Sequence, residues 1–236
     1  MRSARRRWFL TLVLVVCLVV AAVVVWRARP HHVRVLVVGD SITTEYGPQV
    51  VHDFGQRGVS AHSDGYPGYG LLDQHLKGGT IQTRLSALVN RYRPQAVVVE
   101  FVGNYGFLSA VLPGAPPDSP DFFAQWARAA REATLRLHAH GAHVYWLSNL
   151  PMGSDPLRRR SAQIDAIYRA LPADPGLAGA ASYLDVKGPF GGDGYQPALR
   201  QQDGVHLNPA GVGVFARTVA DGVLFAEAAR PGPRKF

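Results

Sequence analysis

Three residues carry the side chains for acyl-transfer chemistry, and they stand at the two ends of the chain. Ser41 lies in Leu36-Val37-Val38-Gly39-Asp40-Ser41-Ile42-Thr43-Thr44, and Asp203 and His206 lie in Asp203-Gly204-Val205-His206. An acid three residues before a histidine can share one side of a turn with it. A carboxylate there fixes the imidazole tautomer and stabilises its protonated form. Such a histidine can take the proton from a serine hydroxyl as the oxygen attacks a carbonyl carbon. Taken singly, these residues have plainer readings: Asp40, Ser41 and Thr43 suit a helix cap, and Asp203-Gly204 suits an Asx turn. The chain has nine histidines, and His206 is distinguished by the acid before it and the helix start at Pro209.

For these groups to meet, a scaffold must bring both ends of the chain to one rim. Residues 33–38 are β-branched and apolar, as a buried parallel strand requires. Gly39 allows a tight turn after it, which puts Ser41 at the carboxyl end of the first strand, beside a helix start. A helix is expected over 44–57, regular after Gly47-Pro48, and a second strand over 59–62. Asp64-Gly65-Tyr66-Pro67-Gly68-Tyr69-Gly70 is too rich in glycine for regular structure and can bring backbone N–H groups close to a ligand. Leu85, Leu88, Val89 and Tyr92 recur at helical spacing, predicting a helix over 81–93. A strand over 96–102 ends in Gly103-Asn104-Tyr105-Gly106, placing Asn104 on the same rim as Ser41. Further helices are expected over 120–140, 158–171 and 209–229, and further strands over 143–148 and 181–186. Alternating strands and helices predict a three-layer α/β/α fold with a mostly parallel five-stranded sheet. No G-x-G-x-x-G follows the first strand and no P-loop is present.

The net charge of +8 does not mark a nucleic-acid surface. Six arginines and no acid fall in residues 1–30, leaving 19 basic and 17 acidic residues beyond them. Residues 1–7 are basic, and 8–26 form an apolar run with a tryptophan at each end, long enough to span a membrane. The expected organisation is a cytoplasmic segment 1–7, a single transmembrane anchor 8–26, a link 27–32, an extracytoplasmic domain 33–229 and a tail 230–236. A cleaved signal peptide is the rival reading, but its apolar region is shorter and ends at a small-x-small site. The one cysteine, Cys17, lies within the apolar run, so the outer domain has no internal disulfide, cysteine metal site or cysteine nucleophile.

The ordered set of motifs resembles the SGNH (GDSL-type) hydrolases. Gly39-Asp40-Ser41 matches the first family block and Asp203-Gly204-Val205-His206 the last. Pro67-Gly68 resembles the second. The third, usually Gly-x-Asn-Asp, reads Val102-Gly103-Asn104-Tyr105, without the final acid. The resemblance covers about residues 33–228 and implies a flavodoxin-like SGNH fold. It implies Ser41 as nucleophile, His206 as general base and Asp203 as the residue that orients it. The implied oxyanion hole is the N–H of Ser41, the N–H of Gly68 and the side-chain amide of Asn104. No metal or organic cofactor is implied. Loops 105–120 and 187–202 are expected to build the acyl pocket, with Asp40, Tyr66, Tyr69, Tyr105, Phe107, Phe190 and Tyr195 as candidate lining residues; the six aromatics read at least as well as packing for their own loops. The expected activity is hydrolysis of O-acyl esters on cell-envelope glycans or of small lipidic esters. Two alternatives stand beside it: an O-acyltransferase on an envelope polymer, which needs a membrane partner to deliver the acyl group, and a non-catalytic anchored binding module.

Overall fold

A computed structural model describes residues 33–230 except 75–78, 106–110, 113 and 178. The segments 1–7, 8–26 and 27–32 therefore lie outside the described residues. Among the described residues, no helix is long and apolar enough to cross a membrane.

The elements run β1 (Val35–Gly39), α1 (Ser41–Gln56), β2 (Ala61–Gly65), α2 (Ile81–Tyr92), β3 (Ala96–Glu100), α3 (Pro120–Leu137), β4 (His143–Leu147), α4 (Asp155–Ala170), β5 (Ala181–Leu184) and α5 (Pro209–Ala229). The five strands are parallel in the order β2-β1-β3-β4-β5. The order reverses between β1 and β3, and ligands of open α/β sheets bind at the carboxyl ends beside that switch. β1, β3 and β4 are buried along their whole lengths, which explains their unbroken apolar sequences.

Helices cover both faces. On one, Leu85 and Val89 of α2, Trp126 of α3 and Ile164 of α4 pack against Leu36, Val97 and Val144. On the other, Val50 and Phe54 of α1 and Phe215 and Val219 of α5 pack against Val35, Val98 and Tyr145. Tyr46 meets Phe215 edge-on at 4.7 Å, and each such fully buried large apolar side chain stabilises the fold by about 1.5–3 kcal/mol.

Three sequence expectations change. The first helix begins at Ser41, not after Pro48, because Asp40 caps it: its side chain accepts from the Ile42 N–H. Pro48 is tolerated inside α1 because it and Thr44, whose carbonyl loses its helical donor, are both exposed to water. The second strand is Ala61–Gly65 rather than 59–62. It is a half-buried edge strand paired only with β1, so its polar sequence carries no apolar signal. Asp64 and Gly65 thus belong to β2 rather than to the glycine-rich loop. The helix expected over 158–171 starts one turn earlier, at Asp155, with Pro156 in its first turn.

Two glycines make the rim possible. A Cβ on Gly39 would lie 1.9 Å from the Glu100 carbonyl oxygen, and one on Gly70 would lie 1.8 Å from that of Asn104. Only glycine allows the end of β1 and the loop after β2 to approach the end of β3 so closely.

Candidate active site

Ser41 is the first residue of α1 and Asp40 its N-cap. The positive end of the helix dipole therefore faces the Ser41 backbone. Asp203-Gly204-Val205-His206 comes from the loop before α5. That loop is closed by a bridge between Arg200 and Leu207 and by the Gln201 N–H donating to the His206 carbonyl at 2.8 Å. Gly204 adopts φ +71° and packs against Gly153, where a Cβ would come within 2.9 Å of the Gly153 Cα.

The loop delivers His206 to Ser41. His206 Nε2 lies 3.0 Å from Ser41 Oγ, and Nδ1 lies 2.6 Å from Asp203 Oδ2. An ionised carboxylate only accepts, so the ring proton sits on Nδ1, and Nε2 is left to accept from the serine hydroxyl. The other Asp203 oxygen accepts from the N–H groups of Val205 and His206 at 2.9 and 3.0 Å. Partial burial pushes the Asp203 carboxyl up. The hydrogen bonds from the His206 ring and from the two backbone N–H groups outweigh it and hold the group below the usual aspartate range. The three side chains thus form one chain of hydrogen bonds from carboxylate to hydroxyl.

Gly68 and Asn104 reach the same cavity. Gly68 adopts φ +77°, and neither its N–H nor that of Ser41 donates within the described residues. Asn104 follows β3 and donates from Nδ2 to Asp40 Oδ2 at 3.1 Å. That leaves its second amide hydrogen for a ligand. Tyr168 fixes the strand end beneath it: its hydroxyl accepts from Trp126 Nε1 at 3.1 Å and donates to the Phe101 carbonyl at 2.8 Å.

The cavity has a volume of about 480 Å³. Besides the five residues above, its walls are Pro67, Val102, Gly103, Met152, Leu157, Arg160 and Val205. Arg160 forms a two-pronged ion pair with Asp118 at 2.5 and 2.7 Å. A larger groove of about 810 Å³ lies between α3 and α4, but it carries no nucleophile beside a base.

The lining expected from the sequence is not what the cavity shows. Asp40 is fully buried and acts as a cap. Tyr105 is buried against Phe122, with its hydroxyl accepting from the Leu112 N–H. Phe190 is buried edge-on against Phe215. Tyr66 and Tyr69 pack against the core, and Tyr66 donates to Asp64 at 3.2 Å. The Tyr195 hydroxyl sits against the contact of Gly153 with Gly204. Phe107 lies outside the described residues. Apolar side chains of the loop after β4, of α4 and of the loop before α5 stand there instead, so loops 105–120 and 187–202 contribute little wall among the described residues. Asp118 contributes through Arg160.

Two positioning residues, Glu100 and Glu45, escaped the sequence reading, and Asp40, read there as a cap, does more than cap. Asp40 accepts from the N–H groups of Ile42 and Val102 and from Asn104, tying the serine turn to the amide. Glu100, 2% exposed at the end of β3, accepts from the Thr43 hydroxyl at 3.2 Å through its carboxyl and from the Asp40 backbone N–H at 3.2 Å through its carbonyl. Glu45, one helical turn beyond Ser41, accepts from the Leu207 N–H at 2.9 Å and from Gln201 at 3.0 Å, holding the loop before α5 against α1. An acid one turn after the serine was the sequence signal for Glu45; Glu100 is set by contacts across strands.

Burial, and then the neighbouring Asp40 charge, raise the Glu100 carboxyl well above its ordinary value. Burial raises Asp40 as well, offset by the N–H groups of Val102 and Ile42. With three N–H donors on Asp40, the proton the pair retains belongs on Glu100. The folded chain then holds a proton that the unfolded chain releases above the ordinary glutamate value of 4.5. Stability attributable to this site must therefore fall as pH rises from there towards the raised folded value, by about 1.4 kcal/mol per pH unit. Glu100→Gln keeps the neutral shape and removes the proton. Chemical denaturation at a series of pH values between about 5 and 7 should show the wild-type stability falling relative to the variant. Parallel curves would mean Glu100 is ionised in the fold.

The fold and the sequence have recognisable relatives. Residues 34–222 match the family described as "Protein of unknown function (DUF459)", and the chain belongs to that family. No curated protein matches the sequence. Its architecture is that of the SGNH hydrolases. A GDSL-like lipase from Bacteroides thetaiotaomicron superposes with TM-score 0.58 at 18% identity, covering 82% of this chain and 88% of that one. A lipase/acylhydrolase from Enterococcus faecalis gives 0.59 at 18%, covering 82% and 96%. A carbohydrate esterase family 3 protein from Talaromyces cellulolyticus gives 0.57 at 16%, covering 82% and 97%. Among the described residues, no group of three or more His, Cys, Asp or Glu side chains could hold a metal ion.

Proposed function

We propose that this protein is a serine esterase that hydrolyses short-chain O-acyl esters through an acyl-enzyme on Ser41. The observation that carries the reading is the unbroken Asp203–His206–Ser41 hydrogen-bond chain opening onto a cavity walled by Gly68 and Asn104. Ser41 Oγ attacks the carbonyl carbon as His206 Nε2 takes the hydroxyl proton, and Asp203 stabilises the imidazolium. The carbonyl oxygen becomes an oxyanion held by the N–H groups of Ser41 and Gly68 and by the Asn104 amide. Collapse expels the alcohol, which takes the proton from His206. Water, deprotonated by the same nitrogen, then attacks the acyl carbonyl and releases the acid and Ser41. The esterases and lipases that share the fold support the chemistry, and the carbohydrate esterase among them supports an ester borne on a glycan. The arginine-flanked apolar run of residues 8–26 supports a membrane-anchored enzyme whose domain lies outside the cytoplasm.

Arg160 sets the acyl length in this reading. A long chain must press its methylenes against a guanidinium–carboxylate pair that still needs its hydrogen bonds, and each methylene buried elsewhere would gain about 0.8 kcal/mol. With p-nitrophenyl esters, kcat/KM should be highest for acetate to butyrate and fall steeply by decanoate. Arg160→Leu should raise the decanoate-to-acetate ratio by about tenfold or more. A wild-type profile rising with chain length would contradict this assignment of the cavity.

A further inference from the structure

Arg200 carries a charge that the fold has buried without an acid. It is 6% exposed, and arginine is almost never fully buried unless it is paired. Lys187, buried to the same degree, holds two carboxylates, Asp165 at 3.1 Å and Asp193 at 2.7 Å. Among the described residues Arg200 forms no ion pair.

Its guanidinium is spent on backbone instead. Nη1 donates to the Val205 carbonyl and Nη2 to the Pro151 carbonyl at 3.0 Å, and Cζ lies 5.9 Å from the centre of the Phe190 ring. Burial lowers the guanidinium pKa, and the nearby Tyr195, Glu100, Glu45 and Asp203 oppose that. An arginine stays charged in a protein, so both bonds are charge-assisted.

The two carbonyls belong to two loops that wall the cavity beside Ser41. Val205 precedes His206, and Pro151 precedes Met152; Val205, His206 and Met152 all line that cavity. Arg200 itself stands at the foot of the loop before α5, bridged to Leu207. The two loops also share a backbone bond, from the Gly153 N–H to the Gly204 carbonyl at 2.8 Å. One such bond leaves a hinge. The guanidinium adds a second tie, and two ties fix the orientation of one loop against the other. A lysine would bring a single point of charge and could not hold two carbonyls with one rigid plane.

We propose that Arg200 is a positioning residue for the base: its fork fixes the His206 loop against the Met152 wall and so keeps His206 Nε2 within reach of Ser41 Oγ. The proposal rests on the esterase reading, because it acts through that base.

The test is the rate and the stoichiometry of fluorophosphonate labelling of the full chain, read by intact mass. Wild-type protein should take one label per chain. Arg200→Ala should reach the same stoichiometry about 10²-fold more slowly, the cost of a base displaced by about 1 Å. Arg200→Lys, which keeps the charge without the fork, should be slower by about tenfold. Guanidinium ion at millimolar concentration, far below the molar range that unfolds proteins, should speed Arg200→Ala by refilling the fork and leave the wild type unchanged. A residue that only stabilised the fold would instead show a smaller labelled fraction at the normal rate. The proposal is overturned if either variant labels at the wild-type rate, if the loss is in the labelled fraction, or if guanidinium fails to speed Arg200→Ala. Where Arg200→Ala does not fold, Arg200→Lys decides: full labelling at the slower rate upholds the proposal, and wild-type speed or partial labelling overturns it. A folded wild type that never labels overturns the esterase reading and this proposal with it, whereas a labelled wild type matched by Arg200→Lys overturns this proposal alone.

Discussion

Ser41→Ala should lower kcat/KM for p-nitrophenyl acetate by about 10⁴- to 10⁶-fold, and His206→Ala should do nearly the same. The reason is geometric. Ser41 Oγ and His206 Nε2 are 3.0 Å apart, so the hydroxyl becomes a nucleophile only while that nitrogen takes its proton. Neither residue contributes alone, and the double variant should be little worse than either single one. What survives in all three is binding plus the oxyanion donors. Initial rates with purified variants, each shown to unfold cooperatively, measure the effect. Losses that multiply in the double variant would mean the two side chains act in separate steps, and activity close to wild type in Ser41→Ala would remove the serine from the chemistry.

Asn104→Ala should cost about 10²- to 10³-fold, mainly in kcat, because its amide meets negative charge that exists only in the transition state. Here the amide is held by an unusual partner. Tyr105 stands where the family block carries an acid, and it turns inward onto Phe122. Asp40 supplies a carboxylate from the other side, accepting from Asn104 Nδ2 and from the Val102 N–H at 3.1 and 2.8 Å. Asp40→Asn would set an amide N–H against one of those donors. It should lower kcat by about tenfold while leaving the serine–histidine contact in place. Separate kcat and KM values for both variants test the argument. A rise in KM with kcat unchanged in Asn104→Ala would show that the amide binds the ground state equally well, and so is no oxyanion donor.

Much of this site was legible because the chemistry of an open α/β sheet gathers at strand ends. Val33–Val38 announced a buried strand, Gly39 a turn, and Pro209 a helix start, so Ser41 and His206 could be placed on one rim before any contact was known. The supports were not legible. Glu100 reads as one polar residue ending an apolar strand, and its contacts with Asp40 and Thr43 depend on β1 pairing with β3. The aromatics could be read two ways, as groove walls or as packing for their own loops, and the structure shows the second. Tyr105 and Phe190 sit in glycine- and proline-rich loops that look like groove walls, yet those loops fold inward and use the rings as their own core. Pro48 suggested a late helix start because the exposure that makes it tolerable appears only once α1 has docked.

The most direct test of the central claim is covalent labelling of the purified full chain with a fluorophosphonate, read by intact mass. The wild-type chain should gain one phosphonyl group, Ser41→Ala none, and His206→Ala should react far more slowly, because an activated serine requires its base. A folded wild-type chain that stays unlabelled, or a label that persists in Ser41→Ala, would contradict the account.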